Sequence, residues 1–350
     1  MTYDVVILLP GFDPQTLPNW RPPGGYVVAF RLLASLANAG FRVAAVAPNP
    51  FSPSPAPTSS IPEVENPVHS WKYLRSAPVE LVSVTDMDAF PEAAWTVATA
   101  WTTANAVIMA GRKYGGKTAY LIQSHEDHRA FAGSMAQSQS AAASYELGFD
   151  KKLVVSEKML ERWPDAKVVH PGLDHETFHS FPVSIRPRTV LFAGTTVPYK
   201  GTMFGVDVVR KLPPDVEVRT YGNKAPYITE RKHEHVKDPS DRKLAHLHAL
   251  SEVFMCSSIV EGFTIPICEA MATGNLVATT DRSGHTFPKS LVEEFPFGDA
   301  AAGAAAIEKL CTLTPEEKNR RRATGREYTA QFTYERTYRD VVSALGLGTA

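Results

Sequence analysis

Residues 253–280 read VFMCSSIVEGFTIPICEAMATGNLVATT. An apolar, β-prone run opens the stretch, and a short loop of Gly, Thr and Pro follows. A helix-forming segment closed by Gly274 comes next, and a second apolar run, LVATT, ends it. Strand, helix and strand in immediate succession make a βαβ unit, the building block of a parallel sheet. The loop also carries a question, because Glu261 and Glu269 bracket it. A carboxylate in the first turn of a helix adds about 0.3–1 kcal/mol. That explains Glu269 but not Glu261, which lies ahead of the loop.

Outward from this unit the same alternation continues. On the N-terminal side lie the runs DVVILL (4–9), RVAAVA (42–47), VELVSV (79–84), WTVATA (95–100), TAYLIQ (118–123), KLVVS (152–156) and KVVH (167–170). TVLFAG (189–194) and EVRTYG (217–222) precede VFMCSS (253–258) in the second half. Between Gly25 and Ala39 the residues Tyr26, Phe30, Leu33 and Ala37 recur at helical spacing, and Gly40 is placed to end that helix. Two doubly wound α/β domains are expected rather than one very wide sheet. The joint is expected near 171–187, where three prolines interrupt the periodicity. The tail from Pro315 to Leu347 reads as helical throughout.

Composition bounds the function. The 350 residues, 44% hydrophobic and 21% charged, suit globular domains with sizeable cores. A formal net charge of -1 gives no global electrostatic case for nucleic acid. Three cysteines, Cys256, Cys268 and Cys311, are widely spaced and odd in number, which fits a reducing compartment. The N-terminus has no basic leader and no apolar run reaches the ~20 residues of a membrane span, so a cytoplasmic protein is expected. The segment NPFSPSPAPTSSIPEVENP (49–67) is too rich in proline for regular structure and reads as a surface excursion or a functional loop.

Ligands of open α/β sheets bind beyond the carboxyl ends of the strands. After the first strand, Gly24 and Gly25 open a helix and allow a ligand close to its positive end, although the pattern is not GxGxxG. After TAYLIQ comes SHEDH (124–128), where His125, Glu126, Asp127 and His128 suit a sugar-binding or acid/base group better than a metal site. The histidines of KHEH (232–235) and HLH (246–248) are two apart and, on a helix, would face different sides. Lys200 ends TTVPYK, where a cation could meet phosphate. In the opening stretch Pro266 suits a first helical position. The amides of Phe263, Thr264 and Ile265 could then hold an anion, with Glu269 on a hydroxyl pair to one side and Glu261 on the other. A diphosphate flanked by two polyols, as in a nucleotide-sugar, would use both carboxylates.

With those residues in place, the chain resembles family 4 of the glycosyltransferases. That family has the GT-B fold, two Rossmann-like doubly wound domains facing a central cleft, and acts with retention. The pattern E-G-F-x-x-P-x-x-E-A-M-A-x-G is met by EGFTIPICEAMATG at every fixed place. Further matches run in order through residues 22–48, 168–178, 191–201, 248–263 and 332–345. The resemblance implies an N-terminal acceptor domain (1–175), a C-terminal donor domain (176–330), and a final helix (331–350) crossing back to the first. It implies that Glu269 binds the ribose, that the 263–265 amides and Lys200 hold the diphosphate near Gly194 and Thr195, and that Glu261 contacts the transferred sugar. Gly25 would lie near the diphosphate and His125 beside the sugar. No metal or other cofactor is expected, the co-substrate being a nucleoside-diphosphate sugar and the acceptor a small molecule or glycan.

Two places depart from the family. Thr195 stands where an Arg is usual, leaving one of two expected cations to be replaced, with Arg282 and Arg21 as candidates. Thr264 stands where Gly is more frequent. The segments 98–107, 120–127 and 144–149 resemble the subgroup of WsaF-type rhamnosyltransferases, which suggests a dTDP-deoxysugar donor beside UDP- or GDP-sugars. A pseudo-glycosyltransferase or sugar-nucleotide epimerase, or a non-catalytic binding subunit, would share the fold.

Overall fold

The computed structural model describes residues 2–10, 24–48, 77–84, 86–284 and 286–348. The proline-rich segment 49–67, Arg21 and most of the stretch between the first strand and the Gly24-Gly25 pair lie outside the described residues. The chain divides into two compact units, Met1–Gly172 together with Tyr334–Ala350, and Leu173–Thr333. Among the described residues no helix is long and apolar enough to cross a membrane.

The first unit holds β1 (Tyr3–Leu8), α1 (Gly24–Asn38), β2 (Val43–Pro48), β3 (Glu80–Val84), β4 (Ala93–Ala98), α2 (Trp101–Tyr114) and β5 (Lys117–Ile122). It continues with α3 (Arg129–Ala132), α4 (Met135–Tyr145), β6 (Lys151–Val154), a 3-10 turn (Glu157–Glu161) and β7 (Lys167–Val168). The strands form one sheet in the order β3-β2-β1-β4-β5-β6-β7, parallel at every pairing. Val5, Val6, Ile7 and Leu8 of β1 are at most 1% exposed, as a strand covered by helices on both faces must be. Gly40 closes α1 at a φ of 93°, a conformation that glycine adopts without steric cost. The final helix, α10 (Tyr334–Leu345), belongs to this unit: the Arg31 guanidinium of α1 lies 4.1 Å above the Tyr334 ring, and the Thr337 hydroxyl donates to His170 O at 2.7 Å.

The second unit holds β8 (Arg186–Ala193), α5 (Thr202–Arg210), β9 (Glu217–Gly222), β10 (His233–Lys237), α6 (Asp241–Leu250), β11 (Ser251–Cys256) and α7 (Ile265–Thr273). β12 (Leu276–Thr280), β13 (Val292–Phe295), α8 (Ala300–Thr312) and α9 (Pro315–Thr329) complete it, and α10 spans Tyr334–Leu345. Its sheet is ordered β10-β9-β8-β11-β12-β13 and is again all parallel. Val190, Phe192, Val206, Val253, Leu276 and Ile307 meet in its core. In both sheets the chain fills one side of the first strand and then crosses to the other. This creates a switch point beyond β1 and β4 in one unit and beyond β8 and β11 in the other.

Several expectations need correction. KHEH is not helical: His233 and His235 lie on β10, where residues two apart share a face, and both rings reach the Thr220 hydroxyl, at 2.8 and 2.9 Å. The reason is that β10 is a polar edge strand, which shows no apolar run. β13 was not expected at all. Pro266 is the second helical residue of α7, and Glu269 the fifth, so the first-turn explanation of Glu269 fails. The tail is two helices separated at 330–333, because Phe332 turns into the second unit's interior, 2% exposed and edge-on to Phe263 and Tyr328.

Candidate functional site

At the switch point of the second sheet, the loops after β8 and β11 are bound to each other. Gly194 ends β8 so close to the next loop that a Cβ there would lie 2.7 Å from Lys224 O and 2.9 Å from Pro226 Cδ. Thr195 follows. Its N–H donates to the Thr202 hydroxyl at 3.1 Å, and its own hydroxyl accepts from Val197 N–H at 3.2 Å. The turn Pro198–Lys200 then runs into Gly201, at a φ of 63°, whose missing Cβ would sit 2.0 Å from Ser257 O. The Ile259 N–H donates to Tyr199 O at 2.7 Å, and the Ser257 hydroxyl to Lys200 O at 3.1 Å. Only glycine permits this approach, and the approach aims Lys200 at the β11 loop.

There it meets Glu261. Lys200 Nζ lies 2.7 Å from Glu261 Oε1, which also accepts from the Ser258 hydroxyl at 2.7 Å. Ser258 is itself fixed by the Thr280 hydroxyl, which donates to its carbonyl at 2.8 Å. Glu261 is 8% exposed. Burial pulls the Lys200 ammonium toward deprotonation, but the neighbouring Glu261 carboxylate outweighs it and holds the lysine above its ordinary value. Lys200 is therefore a cation at neutral pH, held at the end of a strand.

The loop turns at Gly262 into α7. The Thr264 hydroxyl donates to Ser283 O, which ties the helix start to the loop after β12. Of the three amides expected to face an anion, that of Ile265 is spent on Phe263 O at 3.1 Å in a tight turn. Glu269, half-buried, follows Ile265 by one helical turn and shares its face. Arg282 is exposed, 3.5 Å from Asp281 and next in sequence to Ser283. The structure thus brings together Lys200, Glu261, Gly194, Thr195, the 263–265 turn and Glu269 within one unit. Ser258 and Thr280, which hold Glu261, carry no sequence signal, since a hydroxyl at a strand end is common.

The remaining two candidates belong to the first unit. Gly25 is the second residue of α1, and the Gln123 side chain at the end of β5 donates to its carbonyl at 3.2 Å. His125 stacks on Trp163 with ring centroids 5.5 Å apart. Burial, and then the charge of Arg162, push its imidazole below the usual histidine value, so it is neutral at physiological pH. The other residues of SHEDH divide the structural work. Asp127 takes a two-pronged ion pair from Arg162 at 2.8 and 2.9 Å, and His128 Nδ1 accepts from Ala130 N–H at 3.2 Å. Among the described residues no group of three or more His, Cys, Asp or Glu could hold a metal ion.

Comparison with known proteins bears on this geometry. Residues 187–312, which include β8 to α8, match the family described as Glycosyl transferases group 1. No curated protein sequence matches the chain. Among solved structures the chain resembles HepE of Anabaena in complex with UDP, with a TM-score of 0.74 at 14% identity over 98% of this chain and 99% of that one. It also resembles the sucrose-phosphate synthase of Thermosynechococcus elongatus, with a TM-score of 0.72 at 16% identity over 97% and 98%. A glycosyltransferase of Rickettsia africae follows at a TM-score of 0.62 and 14% identity over 98% of each chain. At such identities the likeness is one of fold, the two-domain Rossmann-like architecture of the GT-B class, and the match to Glycosyl transferases group 1 is confined to residues 187–312.

Proposed function

We propose that this protein is a retaining glycosyltransferase of family 4, moving a sugar from a nucleoside-diphosphate sugar to a hydroxyl acceptor without a metal ion. The observation that carries the reading is the Lys200–Glu261 pair, 2.7 Å apart at the switch point of a domain of glycosyltransferase type. A cation held by a carboxylate in the protein's own fold needs no metal to face a departing diphosphate. In this reading Lys200 and the turn at 263–265 receive the diphosphate, with Gly194 and Thr195 lining it. Glu269 takes the ribose hydroxyls. Glu261, fixed by Lys200 and Ser258, contacts the transferred sugar. Gly25 serves the diphosphate and the neutral His125 the sugar.

Retention follows if the acceptor attacks from the face the diphosphate leaves, with a donor phosphate oxygen taking the acceptor proton. The structure of HepE in complex with UDP and the likeness of segments 98–107, 120–127 and 144–149 to rhamnosyltransferases suggest two donors to try first, UDP-glucose and a dTDP-deoxysugar.

The test is calorimetric titration with UDP, dTDP, GDP and ADP in EDTA, followed by turnover with the sugar of the base that binds. One diphosphate binding tightly in EDTA, with affinity lost by about tenfold or more in Glu269→Ala, is the expected result, a hydrogen-bonded carboxylate being worth about 1.5–3 kcal/mol. Equal affinity in wild type and Glu269→Ala removes the ribose assignment. Absence of binding by all four removes the whole reading.

A further inference from the structure

The turn after β5 holds a carboxyl group for which the proposed reaction has no use. Glu126 is 7% exposed. Its Oε2 accepts from Trp101 N–H at 2.9 Å and from the Tyr120 hydroxyl at 2.8 Å. Its own N–H donates to the Tyr145 hydroxyl at 2.8 Å. Trp101 opens α2 behind Ala100, a cap residue with no side-chain oxygen to offer the helix start. Glu126 fulfils that task from beyond the carboxyl end of the neighbouring strand β5 and so joins β5, α2 and α4 through a single residue.

The residues on either side show what this joint serves. His125 stacks on Trp163 at 5.5 Å, and Trp163 meets Tyr145 edge-on at 5.0 Å. The tyrosine that receives the Glu126 N–H thus also backs the ring beneath His125. Arg162 is committed to Asp127 and lies 4.8 Å from the Trp163 ring.

We propose that Glu126 is the positioning residue for His125, a buried carboxyl that ties the 124–127 turn to the start of α2 and keeps the imidazole on Trp163. The inference rests on the reading of His125 as a sugar-contacting group, but the joint itself is independent of that reading.

The groups around Glu126 give the joint a pH signature. Tyr120 on β5 and Tyr145 on α4 are held neutral by burial. Asp127 and His125 flank it in the turn, and Arg162, the cation beside them, is engaged by Asp127. With no cation of its own, the Glu126 carboxyl is pushed up by burial to about 7, against the hydrogen bonds of Tyr120 and Trp101. Near neutrality the turn changes charge at Glu126 while His125 stays uncharged.

The experiment follows the His125 ring by NMR from pH 5.5 to 8.5 in the full chain, for wild type, E126Q and E126A, with calorimetry and turnover beside it. In wild type the His125 resonances are expected to inflect near pH 7. E126Q removes that inflection while keeping the stacked ring shift, and E126A moves the ring shift itself. Turnover falls at least tenfold in E126A and recovers in E126Q, with nucleotide affinity within twofold throughout. A lowered thermal midpoint in E126A with unaltered His125 shifts and turnover overturns the proposal, since the residue is then structural only. Should E126A not fold, the presence or loss of the inflection in E126Q decides. If wild type neither binds nucleotide nor turns over, glycosyl transfer fails as a reading, and the His125 resonances alone still decide whether Glu126 positions that ring.

Discussion

The two sheets share a strand logic and differ in how the loops beyond them are held. In the second unit the loops after β8 and β11 are pressed together backbone to backbone at Gly201 and Ser257, and the price is a glycine that nothing can replace. A charged pair, Lys200 and Glu261, is what this scaffold presents. In the first unit the turn after β5 is held by one buried side chain, Glu126, and what it presents is a neutral imidazole on an indole. One half is fixed by steric fit and carries charge. The other is fixed by a titratable group and presents an uncharged ring.

The largest effect should come from removing the steric fit. Gly201→Ala adds a methyl group 2.0 Å from Ser257 O at a φ of 63°. A left-handed non-glycine residue costs about 1–3 kcal/mol before any clash, and the carbonyl it meets is backbone, so about 3 kcal/mol or more of stability should be lost. Denaturant unfolding measures this, and nucleotide affinity should vanish with it. A loss below 1 kcal/mol would mean that the two loops separate at little cost and that Lys200 is not held on Glu261 by the fold.

The two units should also respond to pH in opposite senses. Glu126 is raised from 4.5 to about 7. The unfolded chain releases its proton first, so stability is fully present below pH 4.5 and is lost as pH rises through 7. His248, in the second unit, is fully buried with its Nδ1 3.0 Å from Asn275 Oδ1, and burial lowers it from 6.5 to about 4. Here the unfolded chain takes up a proton first, and stability is lost as pH falls from 6.5 to 4. Each shift spans about 2.5 pH units, on the order of 3 kcal/mol. Hydrogen exchange resolved along the chain should show the first unit opening more readily at pH 8 than at pH 5, and the second more readily at pH 4.5 than at pH 7. Parallel behaviour of both units would mean that Glu126 and His248 do not set the pH response of their units.

How much of this was legible follows from the same contrast. Steric requirements leave glycines, prolines and apolar runs in the sequence, so the parallel strands, the helix end at Gly40 and the EGFTIPICEAMATG loop could be read directly. The cluster around Lys200 was readable because Glu261 stands ahead of the loop, at a position that helix electrostatics does not explain. Glu126 was visible only as one member of a polar turn. Its role depends on Trp101, Tyr120 and Tyr145, which come together through the sheet rather than along the chain. The edge strands β10 and β13 escaped for a related reason. An edge needs no continuous apolar run, and His233 and His235 resemble a solvated segment until Thr220 is seen between them.

A smaller effect tests whether the charged pair belongs to the scaffold or to the reaction. Glu261→Gln leaves Lys200 partly buried, 28% exposed at its side chain, without its carboxylate. Breaking a buried pair costs about 3–5 kcal/mol, but solvent access to the lysine reduces this to about 1–2 kcal/mol. Turnover should fall by about 10²–10³, the effect of losing one oriented electrostatic group. A stability loss of that size with unchanged turnover would make the pair a structural strut.

The smallest change concerns the residue that departs from the resemblance. Thr195 lies in the β8–α5 loop between Gly194 and Lys200, its hydroxyl accepting from Val197 N–H at 3.2 Å. Thr195→Arg sacrifices that bond, about 1 kcal/mol, and its N–H still donates to Thr202. If the loop faces a diphosphate, the new guanidinium gains a charge-assisted contact of about 1.5–3 kcal/mol. Affinity for the cognate nucleoside diphosphate should then rise about fivefold at low salt, and the gain should shrink as salt is added. A nucleoside without phosphates should bind unchanged. The gain is modest because a lone arginine enters a loop whose amides and hydroxyls already bind one another. An arginine that destabilises the fold and leaves affinity where it was would place the diphosphate elsewhere, and would make Thr195 a loop residue selected for its hydroxyl.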